Sequence, residues 1–391
     1  MDLFKKCYDY KEAEWAKKRD LYPYFAICSS VEKPIKNIEN KDRIMMGSSN
    51  YLGLADNPQV LAAGHEALDK YGSGCAGSRF LNGTLDLHVA LEEEIANFIC
   101  QEEVIVYGTG FMANLGAISA IATLGDYILG DKECHASIYD ACRLSYSKCF
   151  WYKHNDMEDL ERLLVKLSGK GGILIVTDGV FSMSGEIANI PELVKLARKY
   201  DARLMVDDAH GFGVLGDGGR GVGNMFGLQN DVDIYMGALS KAFASEGGFI
   251  AGKKEVIEYI KHNSRPFIFS SSSTPVNTAT ALAALKYLEN HPELPKRLLE
   301  MADYSRNKML TAGLKLKHST TQIIPIYTYD MENTFSWARE IYNRGCYVNT
   351  VMPPAAETCL LRTACMASFT HEIIDQAVDI ITSVIPKNLE G

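Results

Sequence analysis

The chain has 391 residues, 47% of them hydrophobic and 23% charged, with ten cysteines and a formal net charge of −9 at pH 7. That length exceeds one simple core and suits a large domain joined to a smaller one. The acidic balance argues against a nucleic-acid footprint, which needs a basic face, and no apolar run approaches the roughly 20 residues of a membrane span.

The opening stretch, MDLFKKCYDYKEAEWAKKRD, carries charge throughout and lacks the apolar centre of a signal peptide. The cysteines are scattered from Cys7 to Cys365 without a CxxC pair, which reads as reduced thiols rather than a disulfide framework or zinc site. The expected location is the cytoplasm, with room for a peripheral contact at the inner membrane. Cys134, beside His135, is expected to be packing.

In chain order, residues 1–50 read as a charged amphipathic helix followed by a loop around Tyr22-Pro23-Tyr24-Phe25. Asn57-Pro58 is a helix start, and helical spacing continues to Tyr71. Leu87–Ile99 is a second helix with Leu91, Ile95 and Ile99 on one face. Short apolar runs then recur at Val104–Tyr107, Tyr127–Leu129, Ile173–Thr177, Arg203–Val206, Val232–Met236 and Phe249–Ala251. Helical stretches separate most of them: Phe111–Thr123, Met157–Leu167 and Pro191–Tyr200. Strands apolar on both faces, alternating with helices, imply an α/β fold with a mainly parallel sheet covered on both sides. A long helical stretch runs from Val276 to Leu310 with a break at Pro292–Pro295. Beyond it, Ile323–Thr328, Thr334–Arg344, Cys346–Val351, Leu360–Met366 and a final helix from His371 read as a small α+β domain. The expected division is an N-terminal segment 1–50, a large domain 51–295 and a small domain 296–391.

Parallel α/β sheets bind ligands at the carboxyl ends of their strands, so the residues just past each strand matter most. Gly108-Thr109-Gly110-Phe111 leads from a strand into a helix, an anion site by its free N–H groups, or simply a tight turn. Asp178-Gly179-Val180-Phe181-Ser182 comes after another strand, and Asp207-Asp208-Ala209-His210-Gly211 after a third. Acidic residues ending buried strands are hard to explain as core, although a helix cap or a satisfied core histidine is the plain alternative. Gly237-Ala238-Leu239-Ser240-Lys241 comes after a fourth strand. A lysine among small and apolar residues has a destabilised ammonium form and a lowered pKa, as a Schiff-base lysine requires. Lysine, aspartate, histidine and an anion cradle together suit pyridoxal 5'-phosphate (PLP), whose ring acts as an electron sink when its nitrogen is kept protonated.

The sequence resembles the α-oxoamine synthases, a branch of the fold-type-I PLP enzymes, from about Tyr22 to the C-terminus. The resemblance rests on Tyr51-Leu52-Gly53-Leu54, Gly72-Ser73-Gly74 with Asn82-Gly83-Thr84, Asp178-Gly179-Val180-Phe181-Ser182-Met183, Val206–Gly211, and Ser240-Lys241 followed by Gly247-Gly248-Phe249. Within that family, Gly72–His88, Lys153–Glu158, Pro353-Pro354 before Arg362, and Asn50 directly before Tyr51 are most similar to bacterial serine palmitoyltransferases.

The resemblance implies a decarboxylative condensation of a small amino acid, L-serine foremost, with a long-chain acyl-CoA. Glycine C-acetyltransferase and 8-amino-7-oxononanoate synthase activities are the alternatives, and a PLP aminotransferase a more distant one. It implies that Lys241 holds PLP and later moves the α-proton, that Asp207 pairs with the ring nitrogen, and that His135 stacks on the ring. His210 and Ser182 would meet the phenolic oxygen, and Gly110, Phe111 and Ser240 the phosphate. Arg362, with Asn50 nearby, would take the substrate carboxylate. Ser270 and Ser271 would reach the phosphate of a neighbouring subunit, making the enzyme a homodimer with shared sites. For His135, Arg362 and Ser270–Ser273, a surface loop, a structural ion pair and a plain loop are the respective alternatives. Ala238 stands where many members have Thr, Met352 where some have Arg, and Ala356-Glu357 departs from the usual loop ending.

Overall fold

The computed structural model describes residues 1–387. Its centre is a seven-stranded sheet of β3 (Glu103–Tyr107), β4 (Tyr127–Asp131), β5 (Lys148–Tyr152), β6 (Ile173–Asp178), β7 (Arg203–Asp207), β8 (Ile234–Ala238) and β9 (Gly248–Gly252), in spatial order β3-β9-β8-β7-β6-β4-β5. Only β9 runs antiparallel, between β3 and β8. The remaining pairings, β8-β7-β6-β4-β5, are parallel. Side chains alternate between the two faces, as the period-2 geometry of a strand requires. Leu129, Ile175, Leu204 and Val206 enter one core with the helices Asp86–Ile99, Met157–Leu167, Ile190–Lys199 and Pro275–Asn290. Ile128, Leu174, Val176 and Met205 enter the other, with Gly110–Ile121, Ala136–Leu144 and Lys254–Asn263. Both faces are covered, which is why these strands are apolar throughout.

The sequence reading differs from the structure in four places. The opening helix is two short ones, Lys5–Asp9 and Glu12–Lys18, and the rest of the first fifty residues holds a hairpin of β1 (Ile35–Ile38) and β2 (Lys41–Met45). β5 escaped notice because it is the edge strand, mixed in polarity and only partly buried. The helix Ala136–Leu144 begins inside the small-polar run after His135, where no apolar period announces it. Cys346–Val351 is not one strand. β11 (Cys346–Tyr347) pairs parallel with β2, while β12 (Asn349–Val351) pairs with β13 (Leu360–Ala364), which in turn pairs with β10 (Ile323–Tyr327). The N-terminal hairpin is therefore stitched by hydrogen bonds to the last hundred residues.

Lys317, in that C-terminal part, lies 3.2 Å from Glu186 on the loop after β6. The Thr321 hydroxyl donates to the Gly185 carbonyl of the same loop at 3.0 Å. These contacts hold the C-terminal layer over the carboxyl edge of the main sheet.

Candidate active site

The carboxyl ends of adjacent strands bring the chemistry together. β6 ends at Asp178 and β7 at Asp207, and the two aspartates are paired in register. The Asp207 side chain lines a cleft of ≈ 250 Å³ together with Thr109, Phe111, His135, Ser182, His210 and Lys241. Asp208, one residue on, turns to the other side. It accepts the Val222 N–H at 2.7 Å, and burial pushes its carboxyl up to about 8. Lys241 reaches the cleft from the turn after β8. Burial, helped by the Arg362 charge and opposed by Asp207 and Asp178, brings its amine down to about 8. Its Nζ makes no hydrogen bond among the described residues.

Two hydrogen-bond chains frame the cleft. Asn114 donates from Nδ2 to Asp207 Oδ2 at 2.6 Å and to Ser137 Oγ at 2.9 Å, and Ser137 Oγ lies 2.7 Å from His135 Nδ1. The Ala209 N–H donates to Asp207 Oδ1 at 3.0 Å. On the other side, Arg362 Nη2 donates to the Tyr51 hydroxyl at 3.2 Å, which lies 2.7 Å from His210 Nδ1. Arg362 Nε donates to the Ser182 carbonyl at 2.6 Å, leaving Nη1 without a partner among the described residues. Burial lowers the pKa of both histidines, assisted at His210 by the Lys241, Arg362 and His135 charges and at His135 by Lys241. Asp178 receives the His135 N–H at 3.2 Å, and burial beside Asp207 raises its carboxyl well above the usual range.

Thus Lys241, Asp207, His135, His210, Ser182, Gly110, Phe111 and Ser240 share one cleft wall. Arg362 stands behind Ser182 and Tyr51. Asn50 sits outside that wall: its Oδ1 accepts the Leu54 N–H and its Nδ2 donates to the Glu32 carbonyl, so it brackets the turn that carries Tyr51. Gly53 lets this turn close, with φ +71° and Ser368 Oγ only 2.6 Å from where a Cβ would stand. Ser270 and Ser271 lie on a separate, shallow surface pocket with Arg79, Gly108 and Met112. Cys134 is buried, as packing requires. The reading of the sequence missed Asn114 and the position of Tyr51 behind His210. Asn114 had one usable signal, four residues after Gly110 and therefore on the same side of the first helical turn.

The donor set fits PLP. An unpaired amine faces a carboxylate held by two N–H donors. The helix Gly110–Ile121 begins at Thr109 with the first N–H groups free of intrahelical acceptors. A Cβ on Gly110 would stand 2.7 Å from Met236 Cε and would push the tip of that side chain aside. Ala238 supplies a methyl rather than a hydroxyl to this corner, leaving Thr109 and Ser240 as its hydroxyls.

Residues 41–381 match the family model described as Aminotransferase class I and II. The chain belongs to that family. It is 45% identical to a serine palmitoyltransferase of Sphingobacterium spiritivorum over 95% of this chain and 94% of that protein. It is 46% identical to one of Bacteroides thetaiotaomicron over 92% of each. A putative 8-amino-7-oxononanoate synthase of Acetivibrio thermocellus is 42% identical over 95% of this chain and 96% of that protein. Among solved structures, a serine palmitoyltransferase with its PLP internal aldimine superposes with TM-score 0.93 at 34% identity, covering 98% of both chains. An 8-amino-7-oxononanoate synthase of Francisella tularensis gives 0.76 at 30% identity, covering 87% of this chain and 97% of that one. The expected fold, mainly parallel and of the PLP type I kind, is borne out.

Proposed function

We propose that the protein is a PLP-dependent acyltransferase that condenses L-serine with a long-chain acyl-CoA, releasing CoA and carbon dioxide and leaving an α-aminoketone. The observation that carries this reading is Lys241, an unpaired amine brought down to about 8, facing Asp207 across a cleft walled by His135 and His210. The similarity to serine palmitoyltransferases along nearly the whole chain supports the choice of reaction.

PLP, when bound, supplies an electron sink for negative charge at the amino acid's Cα. Lys241 would hold the cofactor, and its Nζ would take and return the Cα proton. Asp207, fixed by Asn114 and the Ala209 N–H, presents a carboxylate to the ring nitrogen. His210 and Ser182 would meet the phenolic oxygen, and Gly110, Phe111 and Ser240 the phosphate. Arg362 offers Nη1 to the substrate carboxylate while Ser182 and Tyr51 fix its other nitrogens. Asn50 acts by holding the turn beside it.

We read residues 51–295 as the cofactor domain and 296–391 as the smaller one closing over it, with 1–50 as an N-terminal segment. The working unit is a homodimer, in which Ser270 and Ser271 serve the neighbouring site. Phe80, Leu81 and Phe269, all exposed in the single chain, support a covered surface near these serines. No helix among the described residues is long and apolar enough to cross a membrane. Exposed Leu3, Phe4 and Trp15, among charges of both signs, support a surface contact with the inner membrane for an enzyme we place in the cytoplasm.

The test is CoA release from purified holoenzyme across serine, glycine and alanine paired with acetyl-, pimeloyl- and palmitoyl-CoA. Serine with palmitoyl-CoA should be the preferred pair. Preference for glycine with acetyl-CoA, or alanine with pimeloyl-CoA, would replace the substrate assignment. Amino transfer to a keto acid without any CoA ester would replace the reaction.

A further inference from the structure

We propose that Asn114 and Ser137 are positioning residues that hold His135 in a single tautomer, with its proton on Nε2, and so set the hydrogen-bond donor that the proposed reaction needs beside its substrate. The substrate half of this statement rests on the function proposed above; the tautomer half rests on geometry alone.

Each bond in the chain has one possible direction. Asn114 must turn its amide nitrogen to Asp207 Oδ2, because the reverse orientation would set two acceptor oxygens 2.6 Å apart. The second N–H of that nitrogen points at Ser137 Oγ, 2.9 Å away, and makes it an acceptor. The Asn114 Oδ1 has no partner among the described residues, so the amide is committed by its donor end alone. Ser137 is fully buried. Its hydroxyl hydrogen has His135 Nδ1 within reach at 2.7 Å. The Ser137 backbone N–H also points at Nδ1, at 3.3 Å, because His135 caps the helix that starts at Ala136. Nδ1 thus receives two donors and must present its lone pair. A neutral imidazole then carries its proton on Nε2.

The consequence is a division of labour. His135 offers a hydrogen to an anionic or carbonyl oxygen, such as the substrate carboxylate or the thioester oxygen. Proton abstraction is left to Lys241 Nζ. One side chain, Asn114, sets both the carboxylate against the ring nitrogen and, through Ser137, the imidazole beside the ring.

The experiment has two arms. Protein labelled with ¹⁵N in its histidine rings is compared with His135→Ala to assign the His135 signals at pH 8. The wild type should show a protonated Nε2 and an unprotonated Nδ1, and protonation at Nδ1 would overturn the proposal. In the second arm, serine affinity is measured on holoenzyme from the cofactor absorbance for Ser137→Ala, His135→Ala and the double variant. Ser137→Ala should weaken serine binding about fivefold, the worth of one neutral hydrogen bond, and have no further effect once His135 is gone. An equal loss in both backgrounds would make Ser137 merely structural and overturn its assigned role. If His135→Ala left serine and acyl-CoA affinity unchanged, the function read from the cleft would fall, and the substrate half with it, while the tautomer result stands on its own.

Discussion

Lys241→Met in the cofactor-free protein should stabilise the fold, and by an amount that depends on pH. The wild-type amine sits in the cleft without a partner and ionises at about 8, against 10.5 for an ordinary lysine. A depressed lysine pKa means that the folded chain holds this proton less tightly than the unfolded chain does. Between pH 8 and 10.5 the unfolded state carries more protons, so stability rises with pH across that window. Below pH 8 the full cost is present. The fall from 10.5 to about 8, at about 1.36 kcal/mol for each tenfold change in proton affinity, amounts to roughly 3 kcal/mol. Methionine keeps the unbranched chain and removes the charge. Urea melts of the two proteins without PLP should show the variant ahead by up to about 3 kcal/mol at pH 7, with the gap closing toward pH 10. Adding PLP should stabilise the wild type more than the variant, which keeps the cradle but lacks the amine. A gap that stays constant with pH, or a wild type that is the more stable at pH 7, would refute the account of Lys241 as a desolvated amine.

Asn114→Ala removes the donor shared by Asp207 and Ser137 and leaves both buried oxygens short of a partner. It should cost about 2–4 kcal/mol and weaken PLP binding at least tenfold, as equilibrium dialysis would show. His154 lies outside the cleft, 2.9 Å from Asp131 and 3.2 Å from Glu186. Burial opposes its charge, but these two carboxylates win and raise it to about 10. A raised histidine pKa stabilises fully below 6.5 and fades as pH climbs to about 10, so His154→Gln should cost about 3 kcal/mol at pH 7 and little above pH 10. Arg362→Lys loses the fork that spans the Ser182 carbonyl and the Tyr51 hydroxyl. The amino-acid KM should rise more than tenfold while the acyl-CoA KM holds, since lysine cannot make those bonds and meet a carboxylate together.

Local pattern carried most of the architecture. Apolar strands separated by amphipathic helices announced the covered parallel sheet, because both periodicities are written in consecutive residues. The helix starting at Asn57-Pro58 and the helix Met157–Leu167 were legible to within a residue, each marked by its own cap. Lys241, Asp207, His210 and Ser182 were legible because each lies close behind a strand end, where such a sheet opens its ligand crevice.

What was hidden depends on partners distant in the chain. Cys346–Val351 reads as one strand, yet its halves join different sheets, because β2 and β13 compete for them from opposite ends of the sequence. The resemblance sets Asn50 near the substrate carboxylate, and only folding shows its amide also bonded to the Glu32 carbonyl and the Leu54 N–H. Asn114 reads as an ordinary helical residue, and only folding places it 2.6 Å from an aspartate 93 positions away. The sequence alone determined which groups end the strands, since that is set by short-range pattern and by the fixed geometry of parallel sheets. The tertiary structure alone decided how those groups are wired and how far the Lys241 amine is drained of water, since a hydrogen bond and a desolvation cost exist only between surfaces that folding has brought together.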